Sequence, residues 1–154
     1  MTDNYELEND IDVNMSLDDI EDLPGYVTFP TGAFLVSLDK GIEEKTINDR
    51  NYFSVEATLK HIIELDDKAL AEGEVPPKTG DVQSFLFGRK HLVAMASFKT
   101  FCAPIAKKFG LSTIREVIEI SKGLDLLIIG VRKSKSKDGE IQYNFQPKKI
   151  SLDF

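Results

Sequence analysis

The residues with the clearest chemical potential are basic side chains clustered late in the chain. They are Arg132, Lys133, Lys135, Lys137, Lys148 and Lys149. From residue 131 to residue 149 these six bases accompany two acids, which gives a local net charge of +4. Cationic side chains of this kind bind phosphate groups without reading a base sequence. Lysine is also common on edge strands, so a solvated hairpin is the alternative explanation.

A second set of residues offers flat rings, on which the bases of a single strand can stack. The candidates are Tyr52, Phe85, Phe87 and Tyr143. Tyr52 falls on the polar parity of its predicted strand, which favours an outward ring. Phenylalanine lies in a core more often than tyrosine does, so burial is the alternative for Phe85 and Phe87. Arg89 and Lys90 come shortly after Phe87 in the sequence and are predicted to be further phosphate contacts.

Acidic residues are concentrated at the opposite end of the sequence. Residues 1–25 contain nine acids and no Lys or Arg, a net charge of −9, whereas the whole chain carries −7. Residues 26–154 therefore sum to −7 − (−9) = +2. Low hydrophobicity with high charge predicts a flexible acidic arm over 1–25 and one domain over 26–154. The arm residues expected to bind a partner or to inhibit the domain are Asp18, Asp19, Glu21 and Asp22.

The remaining reactive residue types do not form a recognisable catalytic or metal motif. His61, His91 and Cys102 lack the spacing of a metal site, and no glycine-rich phosphate loop is present. His61 falls on the apolar parity of its strand and is predicted to be a core histidine. The sequence thus favours a protein without enzymatic activity, metal or cofactor. A metal-dependent nuclease that uses Asp66 and Asp67 is a less favoured alternative.

Composition favours an intracellular, cytoplasmic protein. The single Cys102 cannot form an internal disulfide, and disulfide frameworks mark oxidising compartments. No apolar run approaches the roughly 20 residues that span a bilayer, so no membrane association is expected.

Hydrophobic periodicity predicts the elements that position these residues. A first strand covers 33–38 and continues irregularly to residue 47, and a turn follows at Asn48-Asp49-Arg50-Asn51. A second strand covers 53–65, and a third covers 81–87 after a long loop. A helix spans about 89–109, with a kink or break at Pro104. Thr113 and Glu116 form a capping-box pattern that starts a second helix over 114–122. Strands follow over 124–133 and 141–145, joined through the turn pair Asp138-Gly139, and Pro147 predicts an edge position.

The element order β-β-β-α-β-β predicts a mainly β fold with a helical insert. It matches the OB-fold, a five-stranded and partly open barrel. A half-open α+β sheet with a helix on one face has the same element order and is the alternative.

This layout resembles that of phage-encoded single-stranded DNA-binding proteins with an OB-fold. The similar features are the segment 32–36 that opens the first strand, the helix between the third and fourth strands, and the lysine-rich hairpin. The resemblance covers about residues 26–152. It implies binding of single-stranded DNA with little sequence preference, in DNA replication or recombination within the cytoplasm of a bacteriophage host.

The resemblance also implies partners. Such proteins carry an acidic tail that recruits replication proteins and competes with DNA, but that tail is C-terminal and ends in an aromatic residue. Here the acids are N-terminal, and the chain ends in Asp153 and Phe154. The resemblance therefore leaves open whether the arm, this C-terminal tip or neither binds a partner or inhibits the domain. Homo-oligomerisation is left open. The alternative function is a protein-binding or structural adaptor, in phage assembly or host-factor interaction, that uses the acidic arm.

Overall fold

The chain forms a mainly β structure in the computed structural model, which describes residues 13–14, 27–68, 75–137 and 140–154; for 133–137 and 140–144 it describes the backbone alone. The described strands are β1 Gly32–Leu38, β2 Ile42–Ile47, β3 Arg50–Leu65, β4 Val82–Gly88, β5 Leu124–Lys137 and β6 Glu140–Ser151. The described helices are α1 Leu92–Phe109 and α2 Ile114–Ser121. The acidic residues Asp18, Asp19, Glu21 and Asp22 lie outside the described residues.

The six described strands form one open antiparallel sheet in the order β2-β3-β1-β5-β6, with β4 paired to β3. Thr58 of β3 pairs with Ser37 of β1 and with Val82 of β4. Since a strand has two edges, β1 and β4 lie on opposite edges of β3. By the same reasoning β2 lies on the β1 side, because Tyr52 pairs with both Lys45 and Gly88. The long β3 therefore has β1 and β2 along one edge and β4 along the other.

The first predicted strand is divided into β1 and β2 by a turn at Gly41. Gly41 has φ 66°, a left-handed value that favours glycine. A Cβ there would lie 2.8 Å from Ser121 Oγ, which accepts a hydrogen bond of 2.8 Å from the Ile42 amide. The predicted turn after β2 is confirmed: Asn48 and Asp49 both have positive φ, as a two-residue hairpin of the primed type requires.

The predicted parity of β3 holds up to Leu59, is wrong at His61 and Ile63, and is correct again at Leu65, which packs against the core. Phe53, Val55 and Leu59 are buried, but His61, expected in the core, is exposed. The ladder between β1 and β3 shifts register between Leu35 and Val36 and again nearer the start of β1. Each shift inserts one residue and exchanges the two faces of the strand. His61 consequently pairs with Leu35 on the outer face instead of entering the core.

The core lies between the sheet and α1 and is rich in phenylalanine. Phe34 contacts Phe29 and Phe145, with ring centroids 4.8 and 5.9 Å away. Phe53 stacks on Phe98 of α1 at 4.4 Å. Five of the ten phenylalanines make ring contacts that attach α1 to the strands: Phe53, Phe85, Phe87, Phe98 and Phe101.

The two described helices follow the predicted pattern with one exception. The capping box of α2 is confirmed, with Thr113 and Glu116 bonded to each other's backbone N–H groups. One continuous helix, α1, runs through Pro104, so the predicted break is wrong. Cys102 of α1 is buried as predicted, and burial raises the pKa of its thiol to about 12. Among the described residues, neither helix has the length and apolar character needed to cross a membrane.

Candidate functional site

A cleft of about 740 Å³ lies between β4, α1 and β6. In the described part of the chain, β4 pairs only with β3 and β6 pairs only with β5. The other edges of β4 and β6 both contribute lining residues to the cleft, and α1 contributes a third wall. The sheet is therefore open where a closed barrel would join these two strands, and the opening is the cleft.

The floor of the cleft is aromatic. Phe85 of β4 lies 6.5 Å from Phe145 of β6 and 6.3 Å from Phe101 of α1, measured between ring centroids. These three rings line the cleft, yet each is at most 8% exposed. Side-chain packing, in place of a backbone ladder, thus holds β4 next to β6.

This packing corrects the expectation for Phe85 and Phe87. Both rings fall on the core parity of β4 and are 8% exposed, so neither offers a free face for stacking. The alternate residue Leu86 is 51% exposed and lines the cleft, as does Val93 of α1 at 67%. The apolar surface available to a ligand is therefore aliphatic and lies at the rim.

The charge of the cleft is its most distinctive property. No Asp or Glu is among the described residues that line it, while Lys148 and Lys149 stand exposed on its β6 side. The β4 and α1 walls add no acid: the stretch from Val82 to Arg115 contains none, and its six Lys or Arg residues lie outside the lining of the cleft. A cleft walled by one sign of charge concentrates the field felt by a ligand of the other sign.

The predicted hairpin continues from the cleft along β6. In the β5–β6 ladder, Lys133, Lys135 and Lys137 pair with Asn144, Gln142 and Glu140. The side chains of these lysines and of Tyr143 lie outside the described part of the structure. At the base of the hairpin, Arg132 is half-buried and its amide donates to Thr31 Oγ1 at 3.1 Å. Of the basic residues predicted to contact DNA, Lys148 and Lys149 are the two that line the cleft with exposed side chains.

The turn at the end of β4 carries Arg89 and Lys90, and both are exposed. Arg89 lies over the ring of Phe53, with its Cζ 4.5 Å from the centroid, and pairs with Glu44 at 3.0 Å. His91 caps α1 by accepting a hydrogen bond from the Ala94 amide at Nδ1 (3.1 Å) and also lines the cleft. This turn therefore joins the cleft to β2 and β3.

Tyr52 lies away from the cleft, on the outer face of β2, β3 and β4. It is half-buried and pairs with Lys45 and Gly88. Tyr52 therefore lies on the opposite face of β3 from the buried Phe53, in agreement with the predicted parity. Charges on this face are mixed, because Glu43 and Glu56 accompany Lys45, and Glu56 pairs with Lys40 at 3.4 Å.

The first and last described segments of the domain are hydrogen-bonded to β4 and α1, two of the elements that form the cleft. The Val27 amide donates to Val82 O at 2.9 Å, so residues 1–26 precede a point fixed at the start of β4. At the other end, Lys108 Nζ donates to Leu152 O at 3.3 Å. Beyond that bond Asp153 and Phe154 are exposed, Phe154 by 67%.

Reasoning from the sequence identified the lysines on the β6 side but missed the α1 wall. Ser97 and Thr100, which line the cleft and are exposed, carry no motif. The available signal was the acid-free run from residue 82 to residue 115. Among the described residues, no group of His, Cys, Asp and Glu is arranged to hold a metal ion.

The chain matches no protein-family model and no curated protein sequence. Its function must therefore be argued from its own residues.

Proposed function

We propose that the chain binds single-stranded DNA in the cleft between β4, α1 and β6, with little sequence preference and without catalysis. The observation that carries the proposal is the combination of an acid-free wall with exposed lysines. Lysines bind the phosphates of a nucleic-acid backbone without reading its sequence. Lys148 and Lys149 would contact them from β6, and the lysines of the β5–β6 hairpin would extend the same track.

The arrangement of elements supports an OB-fold. β1 and β2 share one edge of β3 and act as one interrupted strand, which reduces six strands to five. The helical insert lies between the third and fourth of these. OB-folds bind oligonucleotides with barrel strands and the loops beside them, which agrees with a site that β4 and β6 border.

The rim explains how bases would be accommodated. Leu86 and Val93 expose aliphatic surface on two sides of the cleft, and base faces lose water when they pack on such surface. Unpaired bases present these faces, whereas a duplex hides them in its own stack. The site therefore favours a single strand.

The acidic arm has a role in this proposal. The arm carries −9 and joins the domain at Val27, which is hydrogen-bonded to the first residue of β4. A tethered anionic segment acts at high effective concentration on a nearby basic surface. We expect it to compete with DNA for the cleft or to recruit a basic replication protein.

The test is fluorescence anisotropy with labelled oligo-dT over a salt titration. The Lys148→Ala/Lys149→Ala variant should lose affinity and flatten the log–log salt slope by about 1.4, since each phosphate contact on a single strand contributes roughly 0.7. The matched control is Lys107→Ala/Lys108→Ala, which removes the same charge from the exposed end of α1 outside the cleft. Equal effects of the two variants, or no binding by the unaltered chain at low salt, would refute the proposal.

A chain that begins at Pro24 tests the arm separately. Its affinity should exceed that of the full chain at low salt, and the difference should shrink as salt screens the charges. Unchanged affinity at every salt concentration would remove the competitive role and leave DNA binding intact.

One observation favours a second candidate, a peptide-binding adaptor. Of the described strands, none pairs with the cleft edges of β4 and β6, and an extended peptide can add to such an edge through backbone hydrogen bonds. Acidic peptides would suit the charge. Binding of a peptide with the sequence of residues 1–25, together with no binding of oligo-dT, would select this function over the first.

A further inference from the structure

Arg89 is held in a fixed position by three separate contacts. Its amide donates to Asn51 O at 3.0 Å, its guanidinium lies 4.5 Å from the centroid of Phe53, and its Nη1 donates to Glu44 Oε1 at 3.0 Å. Phe98 stacks on Phe53 at 4.4 Å with nearly parallel rings. The guanidinium must therefore cover the opposite face of the Phe53 ring.

The stack makes Arg89 a prepared anion site. The ring supports the guanidinium plane, and cation–π contact of this kind favours the bound orientation. Because Arg presents paired donors in a rigid fork, an arginine already oriented loses less freedom when it binds a phosphate. The group that now accepts from it is a carboxylate, whose oxygens resemble those of a phosphate in charge and spacing.

The carboxylate that occupies this site is weakly held. The Glu44 side chain is 62% exposed and that of Arg89 is 40% exposed. Exposed ion pairs of this type contribute little stability, because water and salt screen them. A second anion that reaches Arg89 can therefore replace Glu44 at small cost.

We infer that Glu44 holds the place of a DNA phosphate on Arg89, and that binding of a single strand exchanges one for the other. This inference rests on the proposed function. Arg89 belongs to the turn from Gly88 to His91, and His91 lines the cleft. A DNA strand that leaves the cleft over this turn therefore reaches the Arg89 guanidinium next. Glu44 then sets the affinity by competing for it.

The test compares Glu44→Gln with Glu43→Gln by oligo-dT anisotropy. Both changes remove one negative charge from β2, but neighbouring strand residues point to opposite faces, and the Glu44 carboxylate is the one bonded to Arg89. Glu44→Gln should raise affinity by about two- to fivefold, the range expected for an exposed ion pair. Its salt slope should steepen by up to roughly 0.7, because Arg89 gains a counterion that DNA then displaces.

A double variant separates the exchange from a general change in charge. In an Arg89→Ala background, Glu44→Gln should leave affinity unchanged. An equal gain from Glu43→Gln, or a gain that persists without Arg89, overturns the inference while DNA binding stands. Failure of the unaltered chain to bind oligo-dT at low salt overturns both proposals. Thermal unfolding of the Gln variants should match that of the parent, which confirms that the fold is retained.

Discussion

The two edges of β4 differ in how they are joined to the rest of the molecule. On one edge, seven residues of β4 pair with β3 through a regular backbone ladder. On the other, Phe85 reaches Phe145 of β6 across the floor of the cleft. The ladder occupies its backbone donors and acceptors fully, whereas side-chain packing leaves an edge and a cavity beside it. An open edge is thus the natural place for a ligand in this fold.

The two sides also differ in charge. The outer face of β2, β3 and β4 mixes Glu43 and Glu56 with Lys45, while no Asp or Glu is among the described residues that line the cleft. Tyr52, the ring expected to stack on bases, lies on the mixed face. In this fold, two exposed lysines beside a lining without described acids indicate the candidate site better than the exposure of a single aromatic ring does.

The largest expected effect comes from removing a ring that bridges the cleft. Phe145→Ala deletes contacts with Phe29, Phe34 and Phe85 and should lower the free energy of unfolding by about 3–5 kcal/mol. Urea denaturation measures this. The control is Phe154→Ala, at a ring that is 67% exposed, and it should change stability by less than about 0.5 kcal/mol. Similar values for both variants would mean that rings do not join β4 to β6.

An intermediate effect is expected from placing an acid in the cleft. Ser97→Glu adds one negative charge at an exposed lining residue of α1 and should weaken oligo-dT binding about fivefold, since a phosphate close to a like charge costs on the order of 1 kcal/mol at the surface. Lys45→Gln makes the same change in net charge on the outer face and should alter affinity by less than about twofold. If Lys45→Gln has the larger effect, DNA crosses the outer face and the contrast between the two sides is reversed.

The smallest effect concerns α2, which lies outside the cleft. Hydrogen bonds from the Thr113 hydroxyl and from the Ser112 and Thr113 amides lower the pKa of Glu116. A lowered pKa in the folded state stabilises the protein above the ordinary carboxyl value near 4.3, and this contribution is lost as pH falls through the lower folded value. The thermal stability advantage of the unaltered chain over Glu116→Gln should therefore be present at pH 7 and shrink below about pH 4.

The same variant should bind oligo-dT as the unaltered chain does at pH 7. A large change in affinity would show that a charge outside the cleft controls binding. It would thereby weaken the assignment of the site to β4, α1 and β6.

Local sequence patterns were sufficient for most elements of this fold. Thr113 and Glu116 predicted the start of α2, and Asn48 with Asp49 predicted the turn between β2 and β3, because each feature depends on neighbouring backbone groups. The parity of β3 failed at His61 because the register shifts arise from its pairing with β1, a contact between distant parts of the chain. Pro104 did not end α1, since packing of Phe101 and Ile105 on the core outweighs one missing hydrogen bond.

The candidate site was only partly predictable, because it also depends on contacts between distant parts of the chain. Lys148 and Lys149 stood out as charges, but their position beside α1 depends on the distance between β4 and β6. The apolar residues of β4 alternate in a way that suits either a core or a binding face, and only packing against Phe101 and Phe145 assigns Phe85 to the core. The salient charge signal was the absence of acids over residues 82–115, a negative feature that motif searches do not register.

Cys102 gives the protein a practical property. It is the single cysteine of the chain, it is 8% exposed, and with a pKa near 12 its thiolate is scarce at neutral pH. Maleimide dyes react with thiolates, so the folded protein should remain unlabelled without removal of its native cysteine. A cysteine introduced at Ser97 would then be the one reactive site, and a dye there would report directly on whatever enters the cleft.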